Sequence, residues 1–330
     1  MPRPLILDVD TGVDDLVALL YAAASPEVEL IGATTVFGNV DVDRTARNTS
    51  IALERCGLGE VEVARGAAAP LEGSWTPFPI VHGEEGLGAF VPSSAGRDLS
   101  SRDGSRLIVE TARARPGEVL LVAVGPLTNV ALALELEPRL PALLDGFVLM
   151  GGAYREGGNV APRAEANVWM DPEAAARVFA AWSGAAAPQL PRCIGLDVTE
   201  QVPMSKSDLA EACRPAPSSP LAELLTQAVT FYIDFHLAVG RTEGGSMHDP
   251  LAVAAAIDPA LCTWSETRVE VELEGRFTRG ETVTDLLGIR GTPWSDWDPD
   301  SNAVVASSVD AGRVRARIVE RLGSLVGSLA

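Results

Sequence analysis

The chain passes from polar to almost wholly apolar and back within its first dozen residues. Pro4–Val9, "PLILDV", has the near-continuous apolar character of a strand buried on both faces, interrupted only by Asp8. From Asp14 to Ala24 apolar side chains recur at helical spacing, and Ser25-Pro26 closes that helix. The alternation then repeats, with a strand over Val28–Val36, an "FGN" turn and a helix over Val42–Cys56. "VEVA" at 61–64 predicts a third strand, and residues 66–100, rich in Gly, Pro and Ser, predict an extended loop region. A helix near Ser105–Arg115 leads into the apolar strand "EVLLVAV" at 118–124. "GPLTNVALALELEP" turns back into a helix, and "FVLM" at 147–150 is a further strand ending at Gly151-Gly152.

Apolar strands alternating with helices predict an α/β fold, a mostly parallel central sheet with helices on both faces. In such sheets ligands bind at the carboxyl ends of the strands. Asp10, Asp14 and Asp15, then Asn39, the Gly125–Asn129 turn and Met150–Gly152 each follow a predicted strand. These distant groups should therefore converge on one sheet edge.

Composition narrows the function classes. At 330 residues the chain is read as a single domain, 1–330. The low-complexity pieces at 66–70, 183–191 and 214–220 read as surface loops, because no compositional shift separates their flanks. A formal net charge of −19 argues against nucleic acid as a partner and against an anionic membrane surface. The N-terminal residues lack a signal-peptide apolar core, and no later stretch has the length to span a bilayer. Cys56, Cys193, Cys213 and Cys262 show no paired metal-ligand spacing and read as scattered buried thiols. Together these features predict a cytoplasmic protein.

"DVDTGVDD" at 8–15 packs four aspartates into eight residues. An acidic turn at a helix N-terminus accounts for Asp14 and Asp15. It does not account for Asp8 and Asp10, within or at the end of an apolar strand, where an unpaired charge is expensive. "DVDT" also fits the Asp-x-Asp-x-Thr pattern of haloacid-dehalogenase-like phosphatases, in which the first Asp is the nucleophile. That chemistry needs a downstream cation for phosphate and an acidic pair for magnesium; Lys206, in the loop-like "VPMSKSD", is the only lysine, though an arginine could substitute. A third reading is a hard-cation site, because calcium takes six to eight oxygen ligands. Asp10 and Asp15 would share the ion and Asp14 would face a ligand's hydroxyls. A further carboxylate is available in "SMHDPLAVAAA" at 246–256, where Asp249 opens a helix with Pro250 in its first turn.

These segments resemble the inosine-uridine-preferring nucleoside hydrolase family. The likeness runs from "DVDTGVDD" through "TTVFGN" (34–39), "HGEEGLG" (82–88), "GPLTN" (125–129), "MGGA" (150–153) and "AEANVWMDPEAA" (164–175) to the His-Asp-Pro segment at 248–250. It implies a Rossmann-like fold and calcium-dependent hydrolysis of the N-glycosidic bond of ribonucleosides, in a homodimer or homotetramer. The implied calcium ligands are Asp10, Asp15, Asp249 and the main-chain carbonyl of Val124. The implied ribose contacts are Asp14, Asn39, Asn159, Glu165 and Asn167, with Met150 beside them. Calcium acidifies a bound water less than zinc does, so a carboxylate base is still required, and Asp10 is assigned that role. Asp8 is read as structural. His82 and His248 sit inside family motifs and are placed at the base, with His248 as the acid for the leaving group. Tyr232 lies one turn before His236 and shares its face.

Three positions depart from the family pattern: Thr11 replaces the usual proline, Ala166 stands where many relatives carry an aromatic residue, and Val13 is apolar. Thr11 should loosen the turn's preorganisation while leaving the ligands in place. The six tryptophans show no pairing suited to a stacked purine, which favours the inosine-uridine or pyrimidine branch over the strictly purine-specific one. A phosphatase and a non-catalytic ribosyl-binding protein are the competing readings.

Overall fold

The computed structural model describes residues 1–93, 96, 98–185, 189–297 and 300–329. Eight strands form its central sheet: β1 (Arg3–Val9), β2 (Val28–Thr35), β3 (Glu62–Arg65), β4 (Val119–Ala123), β5 (Leu144–Met150), β6 (Arg192–Ile194), β7 (Cys262–Thr267) and β8 (Ala303–Val309). Their order is β3-β2-β1-β4-β5-β6-β8-β7. Neighbours run parallel except β7, which closes one edge antiparallel to β8.

The sheet is covered on both faces, which is why its strands are apolar without a polar alternation. Leu5, Leu7 and Val9 of β1 enter one core, and Ile6 enters the other. Flanking helices include α1 (Val13–Ala23), α2 (Val42–Arg55), α3 (Gly104–Ala114), α4 (Thr128–Leu136), α5 (Pro172–Ala181), α6 (Pro220–Val239), α7 (His248–Ile257) and α8 (Ala311–Ser328). Buried residues of α1, α2, α6, α7 and α8 join Leu5 and Leu7, whereas those of α3, α4 and α5 join Ile6.

The chain steps outward from β1 to β2 and β3, then returns to place β4 on the other side of β1. The strand order therefore reverses between β1 and β4, and a crevice opens at their carboxyl ends. Asp10 and Val124 are the first residues beyond those two ends. The Val124 N–H donates to the Asp8 carbonyl at 2.8 Å, which locks the two ends together.

The element boundaries expected from periodicity agree with the structure to within a few residues through β5. Within 66–100 the chain is irregular apart from a helical turn at Pro79–His82; residues 94, 95 and 97 of that loop, and 186–188 of the loop expected at 183–191, lie outside the described residues. The loop expected around Lys206 is corrected. Pro203–Met204 forms a short strand, and Lys206 begins a helix running to Cys213. Ser205 caps that helix by accepting the Asp208 N–H at 3.1 Å, while the Asp208 carboxylate accepts the Ser205 N–H at 2.9 Å. All four cysteines are buried and free. Among the described residues no helix is long and apolar enough to cross a membrane.

Candidate active site

The acidic turn is built by its own backbone. After β1, Asp15 folds back from the first turn of α1, and its carboxylate accepts the N–H groups of Asp10 at 3.0 Å and Gly12 at 2.9 Å. Asn39, just past β2, donates its N–H to Asp10 Oδ2 at 2.8 Å and its side-chain amide to Asp15 Oδ2 at 3.2 Å. The approach is so close that a Cβ at Gly38 would overlap Asp10 Oδ2, which accounts for glycine there.

Asp10, Asp14, Asp15 and Asp249 are all buried, and each carboxyl is held above its usual range. Burial is the chief cause; for Asp10, Asp14 and Asp249 repulsion from neighbouring aspartates comes next. Among the described residues Asp14, Asp15 and Asp249 each place a carboxylate oxygen within 4.8 Å of the others, a grouping that does not include Asp10. Among the described residues no lysine or arginine pairs with these four; His82 Nδ1 lies 3.9 Å from Asp14 Oδ1, but its ring is neutral and the contact is not an ion pair. Four crowded carboxylates without a lysine or arginine partner form an oxygen-only, strongly anionic set, which fits a hard divalent cation.

Asp8 has a different environment. Its Oδ1 accepts the Thr34 hydroxyl and the Asn129 amide, the latter at 2.7 Å, while its Oδ2 is buried without a partner among the described residues. Burial pushes this carboxyl up to about 7. Asn129 also donates to the Thr35 carbonyl at 3.0 Å and accepts the Ala67 N–H at 2.8 Å. The pair thus braces β1, β2 and the loop after β3. Asp8 is wholly buried and does not line the cavity into which Asp10, Asp14 and Asp249 open. Lys206, the only lysine on offer for phosphatase chemistry, instead pairs with Asp234 at 2.6 Å on the surface.

Across the crevice, Glu165 caps the short helix Ala166–Met170. Its carboxylate accepts the N–H groups of Gly152 and Asn167, each at 2.9 Å, and that of Val168 at 3.2 Å. Burial holds the Glu165 carboxyl above its usual range. Asn167 donates its amide to the Val124 carbonyl at 2.8 Å and to the Met150 carbonyl at 3.1 Å, and Asn159 accepts the Ala166 N–H at 3.0 Å. A carbonyl has two lone pairs, so the Asn167 bond leaves Val124 one further acceptor position.

These groups open into a cavity of about 350 Å³, and every site residue expected from the sequence except Asp15 lines it. Asp15 lies beneath, engaged with the turn. All three histidines reach the same space. His82 Nδ1 accepts the Val13 N–H at 3.1 Å, which assigns the proton of the neutral ring to Nε2. Burial, followed by repulsion from His236, lowers His82 to about 3. His248 Nδ1 lies 2.7 Å from the Thr199 hydroxyl and is lowered to about 3 by burial and then by His236. His236 is also lowered by burial; its ring lies 4.3 Å from that of Tyr232 and 6.4 Å from that of His248. The Tyr232 hydroxyl donates to the Ser246 carbonyl at 2.9 Å and faces Asp14.

Sequence reasoning missed part of the wall. Phe235 and Val239 line the cavity, and their spacing from Tyr232 and His236 on α6 is the signal that would have found them. Phe78 and Ile80 flank the His82 turn. Arg241 pairs with Glu200 at 2.8 Å and donates to the Gly158 carbonyl at 2.8 Å, a contact between distant segments that no local pattern announces.

A sequence model of the family described as "Inosine-uridine preferring nucleoside hydrolase" matches residues 5–316. The chain is 36% identical over 323 residues to "Probable uridine nucleosidase 2" of Arabidopsis thaliana, covering 97% of each chain. Among solved structures it superposes on a plant nucleoside hydrolase with a TM-score of 0.91 at 32% identity, covering 98% of this chain and 100% of that one. It also superposes on a purine-preferring ribonucleoside hydrolase from Gardnerella vaginalis, with a TM-score of 0.89 at 33% identity, covering 99% and 100%.

Proposed function

The chain belongs to the inosine-uridine preferring nucleoside hydrolase family and is a hydrolase of the ribonucleoside N-glycosidic bond; from that premise we propose that it works with one calcium ion per chain and prefers inosine-uridine or pyrimidine nucleosides. The observation that carries the cation is the burial of four aspartates, at 10, 14, 15 and 249, with no lysine or arginine partner among the described residues, three of them lining one cavity and Asp15 beneath it. The ligands in this reading are Asp10, Asp15, Asp249 and the Val124 carbonyl. Calcium suits an all-oxygen donor set, and when bound it offsets the carboxylates' repulsion and acidifies a water.

The chain's own groups then divide the work. Asp10, a ligand of the cation that also lines the cavity, takes the proton of the attacking water as that oxygen bonds to the anomeric carbon. Asp14 borders both the acidic group and the cavity, a position suited to accepting from a ribose hydroxyl. Asn39, Asn159, Glu165 and Asn167, with Met150 beside them, hold the rest of the sugar, and the Glu165 carboxylate stabilises positive charge developing on the ring. The departing base takes its proton from His248. That ring is neutral at rest and is recharged through the neighbouring His236, Tyr232 and His82. A cytoplasmic location is supported by the four buried thiols. Assembly as a homodimer or homotetramer is part of the same reading and rests on the likeness to the family.

The deciding experiment is release of reducing sugar from inosine, adenosine, uridine and cytidine, before and after chelation. Turnover of inosine, uridine or cytidine that disappears on chelation and returns with calcium is expected. Strict adenosine preference, or full activity in metal-free protein, would refute the reading; binding without turnover would leave a ribosyl-binding protein.

A further inference from the structure

The acidic turn is held from behind by polar side chains of α2 that no catalytic step uses. Thr45, Asn48 and Thr49 are wholly buried, as is Thr11 in the turn itself. A helix face turned inward ordinarily carries apolar residues, and buried polar groups are costly unless paired. Here Asn48 and Thr49 pair with the turn, while the Thr45 hydroxyl donates to the Val36 carbonyl at 3.1 Å. Thr11 Oγ1 lies 2.6 Å from Thr49 Oγ1, and Thr49 Oγ1 donates to the Thr45 carbonyl at 2.8 Å. A hydroxyl has one proton, so with Thr49's proton spent on that carbonyl, Thr11 is the donor to Thr49. Asn48 donates its amide to the Thr11 carbonyl at 3.2 Å and to the Glu85 carbonyl at 2.7 Å, joining the turn to the loop that follows His82. Space around this bridge is tight: at Gly86 a Cβ would meet Asn48 Nδ2 at 2.8 Å and the Thr11 carbonyl at 3.3 Å, with φ at +81°.

Position 11 is where the family signature has proline, whose ring restrains the backbone covalently. Threonine supplies no such restraint. We propose that Thr49 and Asn48 are positioning residues: by binding the hydroxyl and carbonyl of Thr11 they hold the Asp10–Asp15 turn in the shape that receives the divalent cation. The inference rests on the cation reading above. Like charges crowded in the turn push it apart when the cation is absent, and the hydrogen bonds from α2 oppose that spreading. Without them the metal-free turn samples open states, and the ordering is done at the moment of binding, which lowers apparent affinity by the fraction lost.

The test compares the full-length protein with Thr49→Val, Thr49→Ser, Thr11→Pro and the Thr11→Pro/Thr49→Val double variant. Calcium affinity is read by competition with a fluorescent chelator, alongside kcat and KM at saturating calcium. Loss of one buried hydrogen bond corresponds to about two- to tenfold in an equilibrium constant. Thr49→Val should weaken calcium binding by about that factor, and Thr49→Ser, which keeps the hydroxyl, should restore it. A proline at 11 removes neither N–H donor to Asp15, which come from Asp10 and Gly12. On that background Thr49→Val should cost less than about twofold, since the two restraints are alternatives. Calcium affinity unchanged in Thr49→Val, or reduced equally in Thr49→Ser, would overturn the proposal, as would an equal loss on the proline background. If the proline variants do not fold, the valine–serine comparison decides alone. Wild-type protein that takes up no calcium would instead overturn the cation reading itself.

Discussion

Replacing Asp8 by asparagine separates a structural carboxylate from a catalytic one. Asp8 is wholly buried, has one oxygen unpartnered among the described residues, and titrates at about 7 against an ordinary 3.8. The folded state therefore holds this proton more tightly than the unfolded chain does. Its stabilising contribution is complete below 3.8 and is lost as pH rises through about 7. A rise of about three pH units corresponds to about 4 kcal/mol, a ceiling that relaxation reduces, so about 1–4 kcal/mol is expected. The substituted amide keeps an oxygen for Thr34 and Asn129 and carries no charge to desolvate. Asp8→Asn should match the wild type near pH 4 and exceed it by about 1–4 kcal/mol at pH 8. The assay is urea unfolding of chelator-treated protein across that range, where subtracting the two curves isolates Asp8 from the other aspartates. Ribose release should stay within about threefold of the wild type, since the residue touches neither water nor sugar. A pH-independent difference in stability, or a collapse of turnover in folded, calcium-loaded protein, would refute the reasoning.

Metal analysis of purified protein should find about one equivalent of calcium per chain, and stoichiometric zinc would contradict the oxygen-only site. Asp10→Asn should lower kcat by about 10²–10⁴-fold, the scale of general-base loss, whereas turnover near the wild-type rate would move the base elsewhere. If the hydroxyl that Asp14 accepts from is the 2′-hydroxyl, Asp14→Ala should impair ribosides far more than 2′-deoxyribosides; equal losses on both sugars would contradict that contact. His248→Ala should cost about 10²-fold or more on at least one natural nucleoside and spare p-nitrophenyl riboside, whose leaving group departs unprotonated. Equal slowing of all substrates would make His248 a support for the Asp249 ligand instead of an acid.

The sequence by itself determined the parallel, helix-covered character of the sheet, since continuous apolar runs such as "VLLVA" at 119–123 and the helical spacing of α1 are local patterns set by local backbone geometry. Through the family they resemble, the ordered motif segments also named part of the cavity lining, and Asp10, Asn39, Val124 and Met150 meet there because each lies at or just beyond the carboxyl end of a strand. Tertiary structure alone decided the pairings. That Asp8 is a brace follows from Asn129 and Thr34 closing on it from strands and turns on either side of β1. That Lys206 is a surface partner follows from the helix it begins and the position of Asp234 on α6. Thr11 read as a loosened proline until α2 placed Thr49 and Asn48 against it. Arg241 and Glu200 entered the cavity wall in the same way. The physical reason is common to all four: periodicity records which face of an element is buried, but the partner across that face is set by strand order, and the placement of β1 between β2 and β4 is written in no single segment of the chain.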